Sequence, residues 1–319
     1  MSALKEQLCF ELKRFHTQPK QIQTLFIGGG TPSTIAPSLY APIFELLRPY
    51  LAEDAEITTE ANPNSATYAW LEGMFQLGVN RVSFGVQSFS EKKLKALNRA
   101  HSPQQAIQAI QDASKIGFKH LSLDLIYNYQ GDTKALLEED IQTAFSLPID
   151  HLSAYELTIE SNTPFAKTPE VKQESEDLAF FVHQAIEKRG FKAYEISNYG
   201  LYQSRHNLGY WHLTPYIGAG AGAVGFLDHT RFYPTTHIQH YIQNPLQIEE
   251  ERLTPEDLQT ERIFLGLRSC VGISKASLSQ TIQERADFLC QEGKLLSQNN
   301  HYYNPNFFLA DELSLYLLG

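Results

Sequence analysis

Polar side chains and glycines gather at the ends of a series of short apolar runs in this sequence. LFIGGGTPS (residues 25–33) passes from Leu25, Phe26 and Ile27 into Gly28, Gly29, Gly30 and Thr31. Further on, TTEANP carries Glu60, SFGVQSF carries Gln87, ALNRAHS carries Arg99 and LSLDLIY carries Asp124. Consecutive glycines free the backbone for positive φ and remove side chains that would hold a ligand away. Asp124 interrupts an apolar run, and a carboxylate buried there must be paired or hydrogen-bonded. Singly, each residue has a bland reading as a turn, a solvated strand end or a surface arginine. Together they offer glycine backbone, two carboxylates, an amide and a guanidinium. That set suits a zwitterion bearing a ribose, with the ammonium on backbone carbonyls, the carboxylate on Arg99 and the hydroxyls on the acidic residues.

Phosphate is the competing ligand. LFIGGGTPS lacks the Gly-Lys-Ser/Thr of a P-loop, and Pro32 occupies the helix entry. IGAGAGAVG contains G-x-G-x-x-G at Gly220, Gly222 and Gly225, but it follows the aromatic GYWHLTPY instead of a buried strand. A dinucleotide site needs the strand–turn–helix context that is missing there. The same region holds His206, Asn207, Tyr210, Trp211 and His212. On residue types alone it is a packed aromatic loop, and the functional alternative is a planar ligand or an iron macrocycle, with histidine on the metal and aromatic walls. His237 and His240 have i, i+3 spacing with no carboxylate partner, and are expected at the surface.

The elements that must position the rim alternate. Strands are expected at Ile22–Ile27, 55–60, Arg81–Gln87, 120–126 and 151–157, with amphipathic helices between them. Ser65 and Asp132 are expected helix N-caps. Ser102 with Pro103 opens a helix whose buried stripe is Ala106, Ile107, Ile110 and Ala113, closed by Gly117. In parallel α/β folds ligands lie beyond the C-terminal strand ends, where the rim residues fall. A helix at 174–189 should precede one more strand, FKAYEIS. From about residue 249, Thr254 and Pro255 open a helix, and the tail reads as helix, hairpin, helix, in the manner of a small winged-helix module.

Composition narrows the class of protein. The 319 residues carry a formal net charge of −10 without any Lys/Arg-rich block, which argues against nucleic-acid binding. Apolar content of 42% suits a globular chain. The N-terminal stretch places Leu4, Leu8, Leu12 and Phe15 among charges, the pattern of an amphipathic helix and not of a signal peptide. No apolar stretch is long enough to span a membrane; peripheral association is left open. Cys9, Cys270 and Cys290 are far apart and odd in number, as expected of reduced thiols in the cytoplasm.

FIGGGTPS, then EANP (residues 60–63), NRVSFGVQSF (80–89), LNRAHS (97–102) and LDLIY (123–127) together resemble the radical S-adenosylmethionine proteins, in particular the oxygen-independent coproporphyrinogen III oxidase group. YEISNY (194–199), RHNLGYW (205–211) and YIGAGAGAVG (216–225) are similar to its HemW branch, the haem chaperones. The resemblance covers nearly the whole chain. It implies a partial (β/α)6 barrel with its first strand missing, over residues 1–245, and a small C-terminal helical, winged-helix-like domain over residues 246–319. It also implies that Gly29, Gly30, Thr31, Glu60, Gln87, Arg99 and Asp124 contact S-adenosylmethionine. The implied activity is haem binding and delivery to an acceptor protein, with His206 the candidate iron ligand.

The family's Cys-x-x-x-Cys-x-x-Cys loop, which holds a [4Fe–4S] cluster, is not in this sequence; Cys9 has no such spacing. The resemblance places that loop before residue 1, so a full-length form is expected to carry it. Two other functions compete with haem delivery. One is radical decarboxylation of coproporphyrinogen, and the other is an ordinary α/β enzyme with a nucleotide at the triple glycine.

Overall fold

A computed structural model describes residues 1–159 and 164–319. In chain order the elements that concern the site are α1 (Ser2–Arg14), β1 (Ile22–Ile27), α2 (Pro37–Leu47), β2 (Leu51–Ala61), α3 (Tyr68–Leu77), β3 (Arg81–Gln87), α4 (Glu91–Ala96) and α5 (Pro103–Ile116). β4 (His120–Tyr127), α6 (Lys134–Phe145), β5 (His151–Glu156), α7 (Glu176–Lys188), β6 (Lys192–Ala193) and β7 (Asn198–Gly200) follow. The chain packs as two compact units. One comprises residues 24–41 and 55–203, the other residues 1–23, 42–54 and 204–319.

Seven strands form one sheet in the order β1-β2-β3-β4-β5-β7-β6, with β1 at its edge. β2 to β5 are parallel neighbours, while β7 is antiparallel to β5 and β6. The sheet is thus mostly parallel, as the alternating pattern requires. FKAYEIS departs from expectation. Within it only Lys192 and Ala193 form a strand; Glu195 beyond them accepts hydrogen bonds from the backbone of Ile196, Ser197 and Asn198, which makes a turn where a strand was expected.

Register divides the sheet into two chemically different faces. Thr58 pairs with Arg81, Glu60 with Ser83, Ser83 with Ser122, Ser122 with His151, and Asp124 with Ser153. Parallel neighbours share a face, so these residues form one polar surface. The alternate residues (Val82, Phe84, Leu121, Leu123 and Leu152 among them) are buried on the other face. A parallel strand covered by helices on both sides would be apolar throughout. The alternation marks the inner face of a partial barrel.

Helix boundaries follow local chemistry except where distant partners intervene. Ser102 caps α5 through a full capping box with Gln105, and Gly117 ends it at φ 105°. Ala106, Ala109, Ile110 and Ala113 are its buried stripe, with Ile107 only half-buried. α3 is capped by Thr67 and not by Ser65, whose hydroxyl lies 2.6 Å from that of Ser33. α6 is capped by Thr133 and not by Asp132, which is buried in an ion pair with Lys93.

In the other unit, α1 buries Ala3, Gln7, Leu8, Glu11 and Leu12, so its buried stripe includes two polar residues and leaves Leu4 and Phe15 half-buried. Gln7 Oε1 accepts hydrogen bonds from Gly220 N and from Tyr241 Oη, which accounts for one of them. α8 (Arg205–Trp211) is followed by a three-stranded antiparallel sheet, β8 (Gly225–Leu227), β9 (Thr230–Pro234) and β10 (Ile248–Arg252), with α9 (Ile238–Gln243) between its last two strands. Gly220 and Gly222 lie in a turn that leads into β8 and not into a helix, so the dinucleotide pattern lacks its structural context. His237 and His240 are exposed, His237 capping α9 through the backbone of His240.

The tail folds as expected. Thr254 caps α10 (Pro255–Leu267) in a box with Asp257. α11 (Gln280–Gln291) and α12 (Ala310–Leu318) accompany a three-stranded sheet of β11 (Ile273–Ser274), β12 (Leu296–Gln298) and β13 (His301–Tyr303). A buried cluster including Ile263, Leu267, Ile282, Leu289, Tyr302 and Leu317 holds this winged-helix-like module together.

Candidate functional site

The triple glycine follows β1 and faces open space. Gly29 and Gly30 sit at φ 76° and 66°, a backbone that disfavours side chains, and a Cβ at either would meet no atom within 4 Å. Gly28 differs: a Cβ there would lie 2.5 Å from the Phe26 ring and 3.2 Å from Glu60 Cδ. Glu60, near the end of β2, accepts the Gly29 N–H through Oε2 at 3.3 Å. Burial raises the Glu60 pKa, and that hydrogen bond acts the other way. Thr31 Oγ1 lies 3.5 Å from the Asn62 Nδ2 donor, and Asn62 N donates to Ser33 Oγ at 3.0 Å, tying the glycine turn to the end of β2.

Gln87 closes β3 where the register with β4 shifts, and its φ is 69°. Its amide folds back over Gly85, so that a Cβ at Gly85 would lie 3.2 Å from Gln87 Nε2 and 3.4 Å from Asn62 Oδ1. Arg99 follows α4; its Nε is buried without a hydrogen-bond partner. Burial lowers the Arg99 pKa, and the charge of Asp124 opposes this. Asp124 lies on the polar face of β4, where Ser83 Oγ donates to its Oδ1 at 3.4 Å. Desolvation pushes Asp124 up to about 6, reinforced by Glu60 and opposed by Ser153, Arg81 and Ser83. All seven residues therefore belong to the unit that holds the sheet, and Glu60, Arg99 and Asp124 interact electrostatically.

Several neighbours escaped the sequence reading. Ser83, Ser153 and Arg81 contribute to the polar face, and the alternation in RVSFGVQ and HLSAYE could have found them. Glu195 is nearly fully buried and desolvation raises it to about 7, while one of its carboxylate oxygens has no hydrogen-bond partner. No local pattern in FKAYEIS marks that burial.

His206 lies on α8 in the other unit, half-buried, with Nε2 3.1 Å from Tyr210 Oη. Tyr210 stacks edge-on against Tyr216, which in turn lies beside Phe226. Phe226 is buried in a small apolar cluster with Leu253 and Leu258, against which Tyr216 packs, so this end of the series is core packing.

The donor set fits S-adenosylmethionine. A glycine backbone open on one side can receive its ammonium, and a buried guanidinium atom lacking a partner can receive its carboxylate. An iron–sulfur cluster does not fit the residues described. The three cysteines are free, and no group of three His, Cys, Asp or Glu among the described residues could hold a metal ion. No helix among them is long and apolar enough to cross a membrane.

The sequence profile of the radical SAM superfamily matches residues 4–144, the stretch that carries the glycine turn and the strands from β1 to β4. The coproporphyrinogen III oxidase HemN of Escherichia coli, a radical SAM enzyme, superposes with a TM-score of 0.80 over 99% of this chain and 82% of its own, at 18% identity. That likeness establishes the fold. "Heme chaperone HemW" of Bacillus subtilis (strain 168) is 32% identical over 308 residues, covering 91% of this chain and 80% of the relative. The protein of that name from Escherichia coli (strain K12) is 39% identical over 234 residues, 70% of this chain and 62% of its own. The chain belongs to the HemW family of the radical SAM superfamily.

Proposed function

We propose that this protein is a haem chaperone, binding haem and passing it to an acceptor protein in the cytoplasm, and that it also binds S-adenosylmethionine. The observation that carries the haem reading is the kinship with two proteins named as heme chaperones over most of the chain. In this reading the partial barrel extends to residue 245 and residues 246–319 are its C-terminal domain. Gly29, Gly30 and Thr31 cradle the amino-acid end of S-adenosylmethionine, Arg99 pairs with its carboxylate, and Glu60, Gln87 and Asp124 hold its remaining polar groups. Kinship with the radical SAM superfamily implies a [4Fe–4S] cluster, and the residues described here supply no ligands for it.

His206 is the iron ligand to test. The Tyr210 hydroxyl beside Nε2 would orient the ring, since a histidine ligand is held in place by a partner of its ring nitrogens. Titration of the purified chain with haem should give a saturable Soret shift, and His206→Ala should alter that spectrum. An identical spectrum moves the ligand elsewhere. Calorimetry with S-adenosylmethionine tests the second ligand. Arg99→Ala should weaken binding by about 1.5–3 kcal/mol, the worth of a charge-assisted hydrogen bond; unchanged affinity removes Arg99 from the site.

A further inference from the structure

The backbone at Gln87 is held in a rare conformation. Ser88 N donates to Val86 O at 2.9 Å, closing a three-residue turn centred on Gln87, whose φ is 69°. A γ-turn with positive φ at its centre is strained, and a non-glycine residue holds it only when its surroundings over-determine it. The surroundings here are specific. On one side, Asp140 of α6 presents both carboxylate oxygens to the turn, Oδ1 accepting from Phe89 N at 2.6 Å and Oδ2 from Ser88 Oγ at 2.7 Å. Ser88 Oγ in turn accepts from Ser90 N at 3.0 Å, which leads into α4. On the other side, His101 Nε2 donates to Val86 O at 2.9 Å.

We propose that Asp140 is a positioning residue for the S-adenosylmethionine site, acting through Gln87, with His101 bracing the same turn from the Arg99 segment. The proposal rests on the reading of that site given above. Asp140 is 3% exposed and 53 positions away in sequence, so the expense of burying a carboxylate is met by the turn's own donors. Lys93 and Asp132 complete the surroundings: Lys93 Nζ donates to Ile126 O at 2.6 Å and to Asp132 Oδ2 at 2.9 Å, and Asp132 Oδ2 accepts from Tyr129 N at 3.0 Å. The loops after β3 and β4 are thereby fixed at their roots. The turn sets the direction in which the Gln87 side chain leaves the backbone, and its amide lies over Gly85.

The inference separates from general stabilisation by a pair of substitutions. Asp140→Asn retains an oxygen for Phe89 N and offers an N–H to Ser88 Oγ, so it should keep the turn. Asp140→Ala removes both acceptors. Calorimetry with S-adenosylmethionine on the full chain should show Asp140→Ala binding about tenfold more weakly, the scale of a lost buried hydrogen bond, and Asp140→Asn within about threefold of the parent. Gln87→Ala with Asp140→Ala should bind no more weakly than Gln87→Ala alone, because the second effect travels through the first. Additive losses, or an Asp140→Ala chain with full affinity, overturn the proposal. Ser88→Ala, which keeps the buried carboxylate, serves if Asp140→Ala does not fold, and should weaken binding about threefold; full affinity in that variant counts equally against the proposal. Amide hydrogen exchange without ligand forms a separate arm: exchange at Phe89 should quicken in Asp140→Ala or Ser88→Ala relative to the amides of β3. If the parent chain binds no S-adenosylmethionine, the reading of the site fails and the role of Asp140 in it fails as well. The exchange arm still decides whether Asp140 holds the turn, and unchanged Phe89 exchange refutes that part.

Discussion

Asp124→Asn should stabilise the ligand-free chain, and more so as pH rises. The Asp124 carboxyl titrates near 6 in the folded protein against 3.8 for an unperturbed aspartate, because desolvation on the inner face outweighs its partners. The folded state therefore keeps a proton that the unfolded chain releases. The resulting penalty is absent below about pH 3.8, grows through the window between that value and about 6, and is complete above it. A shift from 3.8 to about 6 corresponds to about 3 kcal/mol at neutral pH, and to roughly half of that at pH 5. Asparagine removes the charge and keeps a single acceptor oxygen for the hydrogen bonds that Ser83 and Ser153 direct to Asp124, so the net gain at pH 7.5 should be about 1–3 kcal/mol. The decisive quantity is the difference between pH values: urea unfolding should show a gain larger by about 1–2 kcal/mol at pH 7.5 than at pH 5. Equal gains at both pH values, or a loss that deepens with pH, would refute the assignment of Asp124 as a carboxylate strained by its surroundings.

Three further outcomes follow from geometry. Gly30→Ala places a side chain in open space on a backbone at φ 66°, so it should cost about 1–2 kcal/mol from conformation alone in thermal unfolding, whereas Gly28→Ala meets the Phe26 ring and should perturb its packing as well. Lys93→Met strands Asp132 and should cost about 3–5 kcal/mol in urea unfolding; a neutral result would show the buried pair to be replaceable. Thr254→Ala removes the cap of α10 and should cost about 1 kcal/mol, measured by thermal unfolding.

Local chemistry made much of the fold legible in the sequence. The bounds of β1 and β3 and both ends of α5 follow from apolar runs, an N-cap serine and a terminal glycine, all interactions between near neighbours. Reading failed where a distant residue competed for the same atom. Ser65 gives up its capping role for Ser33, 32 positions away, and Asp132 gives up its own for Lys93, 39 positions away. Of the candidate site, the glycine turn, Glu60 and Gln87 were visible from their places at strand ends, Asp124 as a break in an apolar run and Arg99 from the motif LNRAHS. Invisible were the turn at Gln87, which depends on Asp140 and His101, and the burial of Glu195, which depends on its own backbone folding over it.

The two-faced sheet has a consequence for assembly of the chain. In β4, His120, Ser122 and Asp124 alternate with Leu121, Leu123 and Leu125. Slipping the pairing with β3 by a single residue would carry Asp124 in among the helices and bring the leucines to the inner face. The carboxylate that strains the finished fold would then have no serine within reach, and the wrong alignment would be dearer still. The groups that make the inner face chemically able thus also select the register in which the strands pair.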